Sequence, residues 1–244
     1  MGKMEYDISE IAWETYKLLY GSNFKIIENK NRLHIESTFS LEGKTTGVLS
    51  FSGETDFNFK VAFAHSRREA YIKHLKDLES SEEKEKYFKV YKNKFEICEK
   101  LMYSVVNISM MPQTGNLQNT KRGIGNDRID TFIYVIENYY DGIDNLLMNY
   151  SSAENIEFLK QYFKMFSSAK EYCATIYHIN ESLVDELIES GKNPIDTPER
   201  VIQYMNLAYR FWCQKLKFFN GFDKVSDSMK QELNKVAELL DKWF

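Results

Sequence analysis

The chain has 244 residues but only 11 glycines and 3 prolines, where average usage of roughly 5% would supply about a dozen prolines. Proline removes a backbone donor and breaks helix interiors, so its scarcity leaves room for long helices and excludes collagen-like or Pro/Gly-rich disordered chains. The charge is close to balanced, 32 Lys and Arg against 36 Asp and Glu for a formal net charge of −4, which excludes a globally basic nucleic-acid coat but not a local basic patch.

The hydrophobic content of 43%, with 17 Phe, 16 Tyr and 3 Trp, is enough to build a core for a single domain over 1–244. The stretch Met1–Asp7 turns acidic at once, so no secretory leader is expected. No run of about 18 apolar residues occurs, and no membrane span is expected. Cys98, Cys173 and Cys213 are odd in number and sit inside helical apolar patterns. They read as buried reduced thiols, which implies a cytoplasmic setting.

In chain order, Ile8–Tyr20 reads as a short helix ended by Gly21. Four β-favouring runs follow: Phe24–Glu28, Arg32–Phe39, Thr45–Phe51 and Phe57–Phe63. They are separated by turn signals at Asn29–Asn31, Glu42–Lys44 and Ser52–Glu54. These predict a small antiparallel sheet, with the N-terminal helix and strands reaching to about residue 65. From residue 66 the pattern is helical. Arg67–Leu78 is one helix. A long one from Glu82 to Ile108 carries Phe88, Tyr91, Phe95, Cys98, Met102 and Val105 at spacings of three and four, and its other face carries mixed charges. Ile129–Tyr140 is a helix closed by Asp141–Gly142, and apolar stripes run through Ile156–Phe166 and Tyr172–Ile188. After a break at Gly191–Pro194, Thr197 is placed to cap and Pro198 to open a helix that stops before Gly221. A last helix spans Asp227–Trp243. The predicted fold class is α+β, mostly α-helical, with a small antiparallel sheet near the N-terminus packed on a multi-helix body.

One segment departs from this pattern. From Pro112 to Asp130 run three glycines, a proline, several amides, Lys121, Arg122 and Arg128. A loop of this length is uncommon without a function or disorder. Gly123 and Gly125 would let backbone N–H groups turn inward, while Lys121 and Arg122 add positive charge. Asn126 or Asp127 would start a helix whose free N–H groups favour an anion. Arg128 would supply a planar fork. Asp127 and Asp130 oppose an anion unless an arginine neutralises them. The competing reading is structural: Asp127, Arg128 and Asp130 form a cap and salt-bridge knot, and Asn116, Gln118 and Asn119 tie the loop backbone. No phosphate-loop or dinucleotide-binding pattern is met.

Asn119, Arg122–Gly123, Asp127–Arg128 and Asp130, followed by Tyr139–Tyr140 and Gly142, resemble the central motif of an uncharacterised bacterial protein family that carries only a domain-of-unknown-function label. The resemblance covers about residues 87–219. It implies a bacterial, intracellular protein with no assigned activity, marks the loop as that family's hallmark, and transfers no catalytic role.

A second resemblance is shorter. Arg68 and His74 stand at the Arg-x(4–6)-His spacing of small all-helical ribonucleases from bacterial toxin and antiphage systems, where one residue stabilises charge and the other moves protons. His34, His65, His74 and His178 are scattered, with no His-x-x-x-His or Cys-x-x-Cys spacing. No metal or cofactor is expected. Tyr139–Tyr140 would offer a stacking surface for a base. The long helix or the Trp243–Phe244 end would offer an anchor for a second copy of the chain. The leading expectation is a cytoplasmic protein that binds a phosphate-bearing ligand, a nucleotide or nucleic acid, through Asn119, Lys121, Arg122, Asp127, Arg128 and Asp130. The alternatives are a metal-independent ribonuclease using Arg68 and His74, or a protein-interaction module.

Overall fold

The computed structural model describes residues 9–22, 25–28, 34–41, 44–59, 82–112, 128–143, 153–195 and 197–244. The fold is α+β and mostly helical. Its described elements are α1 (Glu10–Tyr20), β1 (Lys25–Glu28), β2 (His34–Leu41), β3 (Lys44–Thr55), α2 (Glu82–Leu101), β4 (Ile108–Pro112), α3 (Ile129–Tyr140), α4 (Ala153–Phe163), α5 (Ala169–Ile176), α6 (Glu181–Gly191), α7 (Pro198–Phe219) and α8 (Asp227–Leu240). The four strands form one antiparallel sheet in the order β1-β2-β3-β4. Among the described residues, no helix is long and apolar enough to cross a membrane.

Helix α7 is the central column. Thr197 caps it by accepting the Arg200 N–H, Pro198 takes the first turn, and Asn220 closes it. Its buried face, Val201, Tyr204, Met205, Ala208, Phe211, Trp212, Lys215 and Phe219, repeats every three or four residues. Phe57, just past β3, packs into that face, with ring centroids 5.1 Å from Tyr204, 5.2 Å from Phe211 and 6.0 Å from Trp212. Burying a side chain of this size stabilises by roughly 1.5–3 kcal/mol, so the end of β3 is held on the helical body by its aromatic ring. Asn107 makes the same junction in polar terms. Its Nδ2 donates to the carbonyls of Phe57 and Met102, and its Oδ1 accepts from Phe57 N–H and Trp212 Nε1, all at 2.8–3.0 Å. A fully buried amide with its oxygen and both N–H groups engaged carries no unpaired penalty.

Helices α3 and α6 approach backbone to backbone. A Cβ at Gly191 would lie 2.3 Å from the Asp130 carbonyl oxygen, so only glycine fits, and the close approach sets the end of α6 beside the start of α3.

Four expectations are corrected. The long helix ends at Leu101 rather than Ile108. A 3-10 turn over Val105–Asn107 then leads into β4, because the apolar run Val105–Met111 finds strand partners in β3. Ser52–Glu54 is not a turn but part of β3, where Ser52 opposes Met111 and Gly53 opposes Met110. Phe57 makes only an isolated bridge, to Arg128, and the rest of the expected strand after Phe59 lies outside the described residues. The Tyr172–Ile188 stripe is two helices, α5 and α6, broken where His178 takes a positive φ of 54°. The expected helix Arg67–Leu78 also lies outside the described residues.

Candidate functional site

Of the residues singled out in the sequence, Asn119, Lys121, Arg122 and Asp127, with the whole of 113–127, lie outside the described residues, as do Arg68 and His74. Arg128 and Asp130 are described, and both are buried. Arg128 is the extended residue preceding α3. Its Nε donates to Asp130 Oδ1 at 3.0 Å and its Nη2 to Asp130 Oδ2, a two-pronged pair. Nη1 also donates to the Asn193 carbonyl at 2.8 Å and Nη2 to the Ser190 carbonyl at 3.1 Å. Asp130 further accepts from its neighbour Thr131 N–H and from Ser190 Oγ. Four of the five guanidinium N–H donors are therefore spent inside the protein. The two side chains tie the entry of α3 to the exit of α6.

A second buried pair went unforeseen. Lys215 of α7 is completely buried and donates to Asp56 Oδ2 at 2.8 Å, to the Ile108 carbonyl at 2.8 Å and to Ser109 Oγ at 2.7 Å. Ser109 Oγ in turn donates to Asp56 Oδ2. A Ser–Lys contact raises the question of nucleophilic chemistry. Here the ammonium spends all three protons on acceptors and is opposed by a carboxylate, so it has no lone pair with which to take the serine proton. The cluster is a latch between the sheet and α7. Nearby, the Tyr20 hydroxyl donates to the Ile176 carbonyl and accepts from Met110 N–H. Burial first, then the Asp56 charge, push the Tyr20 pKa well up, so the hydroxyl stays protonated.

Above this latch the ends of α1, α5 and α7 converge on a cleft of about 940 Å³, within the size range of small-molecule sites. Lys17, Leu18 and Ser22 line it from α1 and the turn after it, Ala174, His178, Ile179 and Asn180 from the α5–α6 side, and Gln214, Lys217, Phe218, Gly221 and Phe222 from the end of α7. His178 stacks on Phe218 with centroids 3.9 Å apart and lies 6.1 Å from the Tyr20 ring. Its Nε2 is buried with no hydrogen-bond partner.

Two independent costs meet at His178. A left-handed backbone at a non-glycine residue costs roughly 1–2 kcal/mol, and an unsatisfied buried nitrogen adds its own penalty. Burial, and secondarily the Lys215 charge, hold its pKa down at about 4, against a smaller upward pull from the Leu19 backbone. The imidazole is thus neutral at pH 7. Between pH 6.5 and about 4 the unfolded chain binds a proton at this site and the folded one does not. Stability is therefore fully present above pH 6.5 and is lost as the pH falls through that window, by on the order of 2–3 kcal/mol. His178→Asn keeps a residue tolerant of positive φ. It is expected to flatten the thermal midpoint against pH between 6.5 and 4; an unchanged slope in the variant would assign the acid sensitivity elsewhere.

Among the described residues that line the cleft, two are lysines and none is a carboxylate, in a chain whose formal net charge is −4. Each helix C-terminus brings about half a negative charge. Three such ends meet here, offset in part by the N-terminus of α6 at Asn180, and Lys17 and Lys217 bring positive charge to the lining. No group of three His, Cys, Asp or Glu placed to hold a metal ion occurs among the described residues. The arrangement suits binding of an anion with an apolar body. The signals in the sequence were faint: Lys17 and Lys217 each fall in the last turn of a helix, and His178 lies just before the Asn180 cap. No protein-family model, curated protein or solved structure matches the chain.

Proposed function

We propose that the protein binds a small phosphate-bearing molecule, of which a nucleotide is one example, in the cleft between the ends of α1, α5 and α7. The observation that carries this reading is the charge of the cleft: among the described residues, lysines from two helices and no carboxylate line a cavity of about 940 Å³ whose remaining wall is apolar side chains with Ser22, His178, Asn180 and Gln214. The volume suits a single nucleotide better than a nucleic-acid strand. A reducing cytoplasm accords with Cys98 and Cys173, which are free and buried, and whose thiol pKa values burial drives well up.

The test is a thermal-shift and calorimetric titration with AMP, phenyl phosphate and adenosine. A phosphate ligand at about a hundred times its Kd stabilises the native state by about 2.7 kcal/mol, a rise of several degrees in Tm for a chain of this size. Lys217→Ala is expected to weaken phosphate binding about tenfold, the worth of one charged hydrogen bond, and to leave any adenosine binding unchanged. Absence of a shift with every phosphate compound rejects the reading. Loss of binding in Arg122→Ala but not in Lys217→Ala would move the ligand to the 113–127 loop.

A further inference from the structure

The side-chain amides around the cleft present donors rather than acceptors. Asn180 and Gln214 hold each other by a reciprocal pair of bonds: Asn180 N–H donates to Gln214 Oε1 at 2.7 Å, and Gln214 Nε2 donates to Asn180 Oδ1 at 3.2 Å. Asn180 Oδ1 also accepts the Leu183 N–H at 3.0 Å as the cap of α6. Both amide oxygens are therefore engaged by the protein, and this pairing also settles which end of each amide is oxygen. The amide nitrogens keep hydrogens beyond those the pairing uses: both on Asn180 Nδ2 and the second on Gln214 Nε2. Several backbone acceptors at the converging helix ends are engaged as well. The carbonyls of Lys17, Cys173, Leu216, Phe218 and Phe219 each accept a bond from their own chain, and that of Ile176 accepts the Tyr20 hydroxyl. The histidine in the wall offers no acceptor to solvent, since its Nε2 is enclosed.

A site of this kind rewards a ligand whose polar end only accepts hydrogen bonds. It penalises one whose N–H or O–H groups must be buried without partners, and such mismatches discriminate more strongly than apolar fit does. The rest of the wall, Leu18, Ala174, Ile179, Phe218 and Phe222, is apolar and partly aromatic.

We infer that the cleft selects a phosphomonoester with an apolar organic group, its phosphate lying against the Asn180–Gln214 amide pair and Lys217 and its organic group against Phe218 and Phe222. This deepens the proposed function and rests on it. A nucleotide shares the phosphate chemistry but carries base and sugar donors that the Asn180–Gln214 pair, its oxygens already engaged, does not answer.

The test compares Kd values for phenyl phosphate, hexyl phosphate, AMP and inorganic phosphate on the wild-type chain, then on Gln214→Glu and Phe222→Ala. The apolar esters are expected to bind at least about tenfold more tightly than AMP or inorganic phosphate, the difference that one unpaired buried donor makes. Gln214→Glu keeps the acceptor for Asn180 N–H while setting a negative charge beside the phosphate, and it should weaken every phosphate about tenfold or more. Phe222→Ala should weaken the two esters and leave inorganic phosphate unchanged. AMP binding as tightly as phenyl phosphate overturns the inference and leaves the proposed function standing, as does Gln214→Glu binding with undiminished affinity. No binding by any of the four rejects both. Should Gln214→Glu fail to fold, the wild-type ranking and Phe222→Ala still decide.

Discussion

Replacing Lys215 with methionine is expected to destabilise the protein by about 3–5 kcal/mol, the usual result of removing one partner from a buried ion pair. Asp56, itself buried, would be left without its counter-charge, and the Ile108 carbonyl and Ser109 would each lose a donor. For a domain of this size each kcal/mol shifts Tm by about 2–4 °C, so the melting midpoint should fall by roughly 10 °C. The double variant Lys215→Met with Asp56→Asn discriminates between pair and site. Neutral residues often replace a buried pair with little loss, so much of the stability should return, and the cycle should show a large coupling between the positions. Additive losses, or a single variant within about 1 kcal/mol of wild type, would show that the latch does not hold the sheet to α7.

Neither partner of this latch could be paired from the sequence. Lys215 does leave a trace: it stands four residues after Phe211 and four before Phe219 on the apolar face of α7, where a solvated lysine would be out of place. What it meets comes from a strand end 159 residues away, and no local pattern encodes that distance. Strand β4 escaped for a similar reason. Val105–Met111 is a short apolar run that suits helix or strand equally, and pairing with β3, remote in sequence, decides it. By contrast, a signal that acts within one turn was legible. Thr197 with Pro198 opens α7 as its sequence predicts, whereas Ser9, Ser168, Asn180 and Ser226, which cap helices by accepting an N–H three residues on, were not singled out in the sequence. The break between α5 and α6 was missed because the apolar spacing runs on through it. Only the left-handed turn at His178 interrupts it, and histidine is not a strong marker of such turns. The cleft inherits that blindness, since its walls are three helix ends that meet only in the folded chain.

Arg128→Ala is the second substitution expected to cost about 3–5 kcal/mol, again by leaving a buried carboxylate without its counter-charge. Asp130 is fully buried and would keep only Thr131 N–H and Ser190 Oγ, while the Ser190 and Asn193 carbonyls lose the guanidinium that gathers them. Arg128→Lys should fall between the two, because an ammonium keeps the charge but not the planar fork that grips both carboxylate oxygens. Urea midpoints for the three proteins measure the loss. Titration of each with phenyl phosphate, at a temperature where all remain folded, measures the other half. An arginine kept for an anionic ligand behaves in the opposite way: its removal relieves local charge, leaves stability nearly unchanged and abolishes binding. An arginine kept to join α3 to α6 loses stability when removed and leaves the affinity of a cleft that it does not line untouched. The geometry predicts the second pattern. If the first is observed instead, the 113–127 loop and Arg128 together become the place to look for the ligand.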